Sequence, residues 1–467
     1  MTDVFVGLDL GTQSVRALAV SARGELLGRG SQPLTGRRAG GRHEQDPDAW
    51  WPALAAACRE ALGDIAPERV HGVATCATSG TIVLVAGDGR ALGPALMYDD
   101  ARATEQAREL NMSPSWGLPK LRWLIEQRSD GVRLAHQPDV ITRRLVGEDV
   151  PADSSHALKT GYDVAAEEWP RALLREYGDL LPRVVRAGSQ LGVVCTQSAA
   201  QTGLPVGTPV IAGMTDGCAA QIATGALVEG AWNSVLGTTL VLKGVSATPI
   251  HDPLGVVYCH RAPDGQWLPG AASSSGAGVL ETTFPDRDPD DLGRRAAGHE
   301  RTSVLAYPLV GRGERFPFVA PDAEAFLVGR PADEGEHFAA LLQGLAFVER
   351  LCFDYLERLG ARTGGELSLT GGATRSSQLN QLRADVLQRP VRLVHHAESA
   401  YGMAILAAAA VRGERVADAA ARMTRTLEVV EPRRDRAEHL RQRYACFVDE
   451  LERRGWLVRH RARRQPA

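Results

Sequence analysis

Two apolar runs, at residues 4–10 and 15–20, flank the polar turn Gly11-Thr12-Gln13-Ser14, and no other stretch constrains this chain as tightly. Apolar runs of this length around a short turn predict a β-hairpin. Asp9 falls near the end of the first run. A buried strand tolerates a carboxylate there only with a compensating cation, hydrogen bonds or a ligand. The turn exposes backbone N–H groups among small hydroxyl and amide side chains, a cradle suited to phosphate oxygens. The plainer alternative is an ordinary strand turn with an aspartate closing its strand.

The pattern recurs. Residues 232–244 again place a Gly-Thr turn, Gly237-Thr238-Thr239, between two apolar runs. Two such hairpins more than two hundred residues apart predict a duplicated architecture, each half offering one phosphate-binding turn. Neither is a P-loop, since no Gly-x-x-x-x-Gly-Lys-Ser/Thr occurs, and no Gly-x-Gly-x-x-Gly follows the first strand.

At 467 residues the chain is long enough for roughly two to four domains. A net charge of −3 supplies no global attraction to nucleic acid or membranes. The seven cysteines are scattered without a CxxC pair, which predicts neither a disulfide framework nor a zinc site and suits a reducing cytoplasm. No apolar stretch is long enough to span a bilayer, and no signal peptide opens the sequence. Only three lysines, Lys120, Lys159 and Lys243, occur among 53 basic residues. GC-rich coding is the simplest reason for that bias.

Along the chain, Asp46-Pro47 predicts the entry to a helix over 49–62, with Trp50 and Trp51 as packing residues. The Gly/Arg-rich stretch 35–42 reads as a loop. A short buried strand at 70–74 runs into Thr78-Ser79-Gly80, where an open α/β sheet presents side chains to a ligand. Tyr98-Asp99-Asp100-Ala101-Arg102 clusters two carboxylates and a guanidinium, to bind polyol hydroxyls or to cap the following helix. The segment 154–163 reads as an irregular rim with His156 hydrogen-bonded at the surface, and 286–295 as a solvated loop. Gly213-Met214-Thr215-Asp216-Gly217 follows an apolar strand directly, placing Asp216 between glycines at a strand's carboxyl end. A carboxylate so placed can take the proton of a hydroxyl attacking a γ-phosphate, and it can equally cap the helix that follows. A long amphipathic helix is expected at 336–360. The strand at 366–370 feeds Gly371-Gly372-Ala373, then a helix from about Ser376; glycines there let a nucleoside approach the backbone. The alanine-rich 400–411 suits close packing between domains, and the basic 453–464 reads as a solvated terminal helix.

Taken together and in order, Gly-Leu-Asp-Leu-Gly-Thr (7–12), Gly-Met-Thr-Asp-Gly (213–217), Leu-Gly-Thr-Thr (236–239) and Thr-Gly-Gly-Ala (370–373) resemble the FGGY carbohydrate kinase family over about residues 4 to 412. The entries 43–51 and Lys120-Leu121-Arg122-Trp123 resemble it too. That resemblance implies an α/β fold, the two-domain actin-like (ribonuclease H-like) ATPase architecture with a catalytic cleft between the domains. Residues 1–223 would form the sugar-binding domain with the catalytic base, 224–412 the nucleotide-binding domain, and 413–467 a C-terminal helical segment. Xylulokinases typically carry Met-His-Gly where this chain has Thr78-Ser79-Gly80, and Trp-Asn-Asp where it has Tyr98-Asp99-Asp100. Thr-Ser-Gly-Thr (78–81), Ala-Leu-Lys-Thr-Gly-Tyr (157–162), Val-Tyr-Cys-His-Arg (257–261) and Gly-Glu-Arg-Phe-Pro (313–317) instead resemble cyanobacterial and plant D-ribulose kinases.

By that resemblance the chain is an ATP- and Mg2+-dependent D-ribulose kinase, with D-xylulose or another ketose or polyol as the alternative acceptor. Asp216 is the base, Asp9 the second catalytic carboxylate and the metal-side residue, and Thr78, Ser79, Asp100 and Asp216 bind the sugar. Gly11, Thr12 and Gln13 with Gly237, Thr238 and Thr239 take the phosphates; Gly371, Gly372, Ala373 and Ser376 take the nucleoside. Those relatives read Gly-Gly-Gly-Ala-Lys-Asn at the nucleoside turn, where this chain reads Gly-Gly-Ala-Thr-Arg-Ser, so an asparagine side chain is replaced at Ser376. The expected partners are small molecules only, on a cytoplasmic monomer or homodimer. A rival reading from another class is an actin-like ATPase or a sugar sensor without an acceptor.

Overall fold

The computed structural model describes residues 2–127 and 132–457. Strands β1 (Val4–Leu10) and β2 (Ser14–Ser21) form the expected hairpin, with Asp9 opposite Arg16, and β3 (Leu26–Pro33) extends it antiparallel. Every β1 residue is buried. A strand covered on both faces needs a continuous apolar run rather than an alternating one. Asp46 accepts a hydrogen bond from the Asp48 N–H at 3.0 Å and caps a 3-10 turn, Pro47–Ala49, that runs directly into α1 (Trp50–Leu62). This helix presses onto the sheet where side chains vanish: a Cβ on Gly28 or Gly30 would lie 1.9 or 2.0 Å from the Ala61 or Ala57 carbonyl oxygen. Trp50 and Trp51 are packing residues, their indole N–H groups donating to Gln45 and Gln201.

Strand β4 (Val70–Ala77) runs parallel to β1, and β5 (Pro209–Ile211) runs parallel to β4 and leads into α2 (Asp216–Thr224). The five strands therefore lie in the order β3-β2-β1-β4-β5, with Gln190–Val193 on the outer edge. The second half repeats this. Strands β6 (Trp232–Leu236), β7 (Leu240–Gly244), β8 (Trp267–Ala272), β9 (Leu367–Thr370) and β10 (Val391–Val394) lie in the order β8-β7-β6-β9-β10. Pairing senses repeat as well: β6 is antiparallel to β7 and parallel to β9, as β1 is to β2 and β4. The duplicated architecture read from the two Gly-Thr hairpins is thus present strand for strand. Helix α3 (Glu334–Arg358) carries the core of the second half, burying Phe338, Leu341, Leu342, Leu345, Phe347 and Leu351. Helix α4 (Ser377–Leu387) follows the glycine turn after β9.

The chain divides into two compact units, 1–227 with 260–268 and 396–425, and 228–259 with 269–395 and 426–467. This differs from the expected boundaries at 223 and 412. Helix α5 (Ser399–Arg412) belongs to the first unit, where it packs on β1 and α2 rather than between domains. The contact is backbone against backbone: a Cβ on Gly7 would lie 1.7 Å from the Ala400 oxygen, and one on Gly402 1.9 Å from the Ala219 oxygen. In the expected helical segment 413–467, the described residues to 457 are not purely helical; the helices Val416–Met423 and Ala437–Arg453 flank an edge strand, Thr426–Val430. The basic stretch 453–464 lies outside the described residues from 458 onward.

Three local expectations change. Residues 35–42 are not a loop but hold the strand Gly36–Ala39, which pairs with Arg42–Gln45 in a small five-stranded sheet. The expected loop at 286–295 contains the helix Pro289–Ala296, whose start Asp288 caps by accepting from the Asp290 N–H. His156 is not at the surface; it is buried in the short helix Ser154–Ala157.

Candidate active site

The carboxyl ends of β1, β4 and β5, three neighbouring parallel strands, gather the candidate residues of the first unit. Leu10 is level with Ala77, and Ala77 bridges to Thr215, so the Gly11–Gln13 turn, the Thr78–Gly80 turn and Asp216 leave the sheet side by side. Ligands in open α/β sheets bind at this edge, because strand-to-helix turns there present free backbone groups.

Asp9 is 4% exposed. Burial first, and then the charge of Asp216, pushes its carboxyl up to about 6. Arg16 offsets this only in part, its Nη1 lying 3.7 Å away on a side chain half exposed to solvent. The Cys76 thiol donates to it at 3.5 Å. The buried Asp9 thus faces the partly buried Asp216 carboxylate, with a distant, half-exposed guanidinium as its offset, an arrangement short of positive charge at Asp9.

Asp216 is the first residue of α2 rather than its cap; the cap position is Thr215. Its carboxylate accepts from the Gly217 N–H at 2.7 Å, and its carbonyl accepts from the Ser399 hydroxyl at 3.0 Å. The preceding Thr215 N–H donates to Ser155 Oγ at 3.2 Å, and Ser155 Oγ pairs with His260 Nδ1 at 3.0 Å. Asp216 is therefore tied through its backbone to Ser399 and, through Thr215, to Ser155 and His260, residues far apart in sequence. A negative charge in the first turn of α2 also lies at the favourable end of that helix dipole.

The turn at 78–80 separates into working and supporting groups. The Thr78 hydroxyl is used internally, donating to Gln137 Oε1 at 2.7 Å and pairing with Thr81 Oγ1. Ser79 Oγ is a buried hydroxyl with no hydrogen-bond partner. An orphaned polar atom costs stability unless a ligand or water satisfies it, so it marks a place where a hydroxyl ligand fits. His156 supports the approach to this turn, its ring nitrogens facing Asp153 at 2.7 Å and the Ala77 carbonyl at 3.2 Å. Burial alone would depress its pKa, but Asp153 raises it overall. Lys120 is fully buried and donates to the Gly80 and Met97 carbonyls at 3.1 and 2.6 Å. Burial pushes its ammonium down to about 7, with Asp100 acting in the opposite direction.

Asp100 does not join the sugar-binding set. It is 0% exposed, and its two oxygens accept from the His43 N–H at 2.6 Å and from Arg102 at 2.9 and 2.7 Å. Arg102 in turn pairs with Glu44 at 2.7 Å. Its carboxylate is committed to holding the chain around Arg42–Gln45.

In the second unit, the Gly237–Thr239 turn and the glycine turn after β9 also leave adjacent parallel strand ends. Gly371 adopts φ of +91°, and a Cβ there would lie 2.4 Å from the Leu236 oxygen, so only glycine fits. Ser376 Oγ caps α4, accepting from the Leu379 N–H at 3.2 Å. The first turn is braced from behind: the Ala277 N–H donates to the Gly237 carbonyl at 2.8 Å. The buried Glu314 holds that brace, accepting from the Ser273 and Ser275 hydroxyls, the Ser274 N–H and Tyr307. Lys120, Ser155, His260 and Glu314 lie in stretches noted from sequence, but none was given a role there. Their partners lie tens of residues away, and the signal that could have flagged two of them is a lone lysine and a lone glutamate in otherwise apolar or glycine-rich stretches. Among the described residues no cluster of three metal-ligating side chains occurs, and no helix is long and apolar enough to cross a membrane.

Comparison with known proteins agrees with this geometry over both halves. The profile of the N-terminal domain of the FGGY family of carbohydrate kinases matches residues 4–223, and that of the C-terminal domain matches 232–411. A xylulose kinase of Streptomyces coelicolor is 32% identical over 89% of this chain and 90% of its own length. A xylulose kinase of Streptomyces rubiginosus is 30% identical, covering 88% of each. The crystal structure of xylulose kinase from Rhodospirillum rubrum superposes with a TM-score of 0.86 at 25% identity, over 96% of this chain and 98% of that one. The expected closeness to cyanobacterial and plant ribulose kinases finds no support among these three.

Proposed function

The chain belongs to the FGGY family of carbohydrate kinases, and from that premise we propose that it transfers the γ-phosphate of ATP to the terminal hydroxyl of a pentulose, D-xylulose first among them. One observation carries this reading: Asp216, the orphaned Ser79 hydroxyl and the buried Asp9 converge on the ends of three neighbouring strands. Asp216 takes the proton of the attacking hydroxyl, which raises the nucleophilicity of the oxygen as it meets the phosphorus. Ser79 Oγ gains a sugar hydroxyl as its partner. The Gly11–Gln13 turn, through the Thr12 and Gln13 N–H groups, and the Gly237–Thr239 turn, through those of Thr238 and Thr239, serve phosphate oxygens, while the Gly11 and Gly237 N–H groups close the turns onto the Ser14 and Thr239 carbonyls. Gly371, Gly372 and Ala373 give the nucleoside close access to the backbone, and Ser376 holds that turn by capping α4.

The charge deficit at Asp9 suits a divalent cation, because a carboxyl that binds protons up to about pH 6 has unmet demand for positive charge. Asp9 would hold Mg2+, which when bound neutralises charge on the phosphate oxygens.

The choice of D-xylulose rests on the names of the relatives. A second reading, D-ribulose, rests on Thr78-Ser79, where xylulokinases typically carry Met-His. The two sugars differ in configuration at one carbon, so a single hydrogen bond decides between them. Coupled ADP release with Mg-ATP against D-xylulose, D-ribulose, L-ribulose, ribitol and glycerol tests this. D-xylulose should lead in kcat/KM by about tenfold or more, the worth of one such bond. A lead for D-ribulose would transfer the assignment to the second reading, and a lead for glycerol would remove both.

A further inference from the structure

Two of the chain's three lysines meet at one turn. Lys159 Nζ donates to the Ser79 carbonyl at 3.3 Å, and Lys120 Nζ donates to the next carbonyl, that of Gly80, at 3.1 Å. Lys120 also reaches the Met97 carbonyl at 2.6 Å, tying this turn to the segment that leads into Asp99 and Asp100. The turn cannot relax easily. Gly80 sits at φ of +95°, and a Cβ there would lie 3.1 Å from the Ser115 oxygen and 3.3 Å from Lys159 Cδ. Successive carbonyls fixed by two lysine side-chain donors set the orientation of the peptide planes on either side of Gly80. They thereby set the direction of the Ser79 side chain.

Composition sharpens the point. With three lysines among 53 basic residues, this sequence uses arginine almost everywhere a cation will do. A guanidinium is a wide planar fork, whereas an ammonium is a compact donor that can serve two carbonyls from one point in a closed niche. Lysine survives at 120, where the side chain is fully buried, and at 159, beside the same turn.

We propose that Lys120 and Lys159 are positioning residues for acceptor recognition, acting through Ser79 by clamping the carbonyls of Ser79 and Gly80. The proposal rests on the reading that Ser79 contacts the sugar. Its loss should therefore appear in KM for the pentulose and not in KM for ATP.

The test is a double-mutant cycle in the full-length enzyme with Ser79→Ala, Lys159→Met and the pair, with Lys120→Met and Lys120→Arg as further variants. Ser79→Ala should raise the pentulose KM about tenfold, the effect of losing one hydrogen bond to substrate. Lys159→Met should do the same with the ATP KM unchanged, and the double variant should be no worse than Ser79→Ala alone. Lys120→Arg should fail to restore the sugar KM lost in Lys120→Met. Additive losses in the double variant, or equal rises in both KM values, would overturn the proposal and leave the lysines as general scaffold. If Lys120→Met does not fold, the Lys159 cycle still decides. A Ser79→Ala enzyme with normal pentulose KM would instead refute the underlying reading of Ser79, whatever the lysines do.

Discussion

Replacing Asp216 by Asn should lower kcat by ~10²–10⁴-fold, the usual contribution of a positioned general base. Asparagine keeps the shape of the side chain at the first position of α2, and the carbonyl hydrogen bond from Ser399 at 3.0 Å involves only the backbone. The variant should therefore fold, melt close to the parent enzyme, and bind both substrates with little change in KM. A loss confined to kcat is the signature of an interaction made in the transition state. Steady-state kinetics on the purified variant measure this, and kcat within tenfold of the parent would remove Asp216 from the role of base.

Asp9→Asn should stabilise the free protein at pH 8 and leave it unchanged near pH 4. In the unfolded chain this carboxyl titrates at its ordinary value of 3.8, but in the folded protein burial and Asp216 raise it to about 6. The folded state therefore binds the extra proton between those values. Stability falls as pH rises through that window, and above it the full penalty applies, about 3 kcal/mol for a shift of this size. Asparagine mimics the protonated carboxyl and carries no charge to desolvate. Thermal melts of parent and variant at both pH values give the difference directly. The same substitution should abolish turnover, because the charge that burial penalises is the one that would hold a cation beside the phosphates. Equal melting shifts at pH 4 and pH 8 would show that Asp9 is not the buried charge described here. A stabilised but inactive variant is the expected pattern for a residue whose environment serves function at the cost of stability.

The parts of the fold that sequence made legible are those where chemistry is local. Continuous apolar runs marked β1 and β6 as buried strands, and Asp46-Pro47 marked the entry to α1, as the start of the 3-10 turn that leads into it, because both the cap and the fixed proline φ act within one turn. The same signal, Asp288-Pro289, stood at the start of Pro289–Ala296 and was outweighed by the charge around it. Residues 36–39 were hidden for a related reason. All four are exposed, so this edge strand has no buried face to impose an apolar alternation.

Long-range features were not legible. The alanine-rich α5 announced close packing but not its partner; that lies in Gly7 and Gly402, which let it sink onto β1 and α2 within the first unit. Asp99 and Asp100 look equivalent in sequence. In the fold Asp99 takes His43 and Arg38 at a partly open position, whereas Asp100 is sealed by Arg102 and the His43 N–H. Of the candidate site, Asp9, Ser79 and Asp216 were readable because strand ends followed by small residues are where backbones and side chains meet ligands. The residues that orient them, Lys120, Ser155 and His260, come from elsewhere in the chain, and apart from the rarity of lysine nothing local marks their role.

If this reading holds, the chain couples ATP cleavage to phosphorylation of a pentulose hydroxyl. The most direct measurement follows ADP and sugar phosphate together, with Mg-ATP and D-xylulose, with and without the sugar. ADP release should depend on the sugar, with one terminal sugar phosphate formed for each ADP. ADP release at the same rate without any sugar, or none with the full set of pentuloses and polyols, would contradict it.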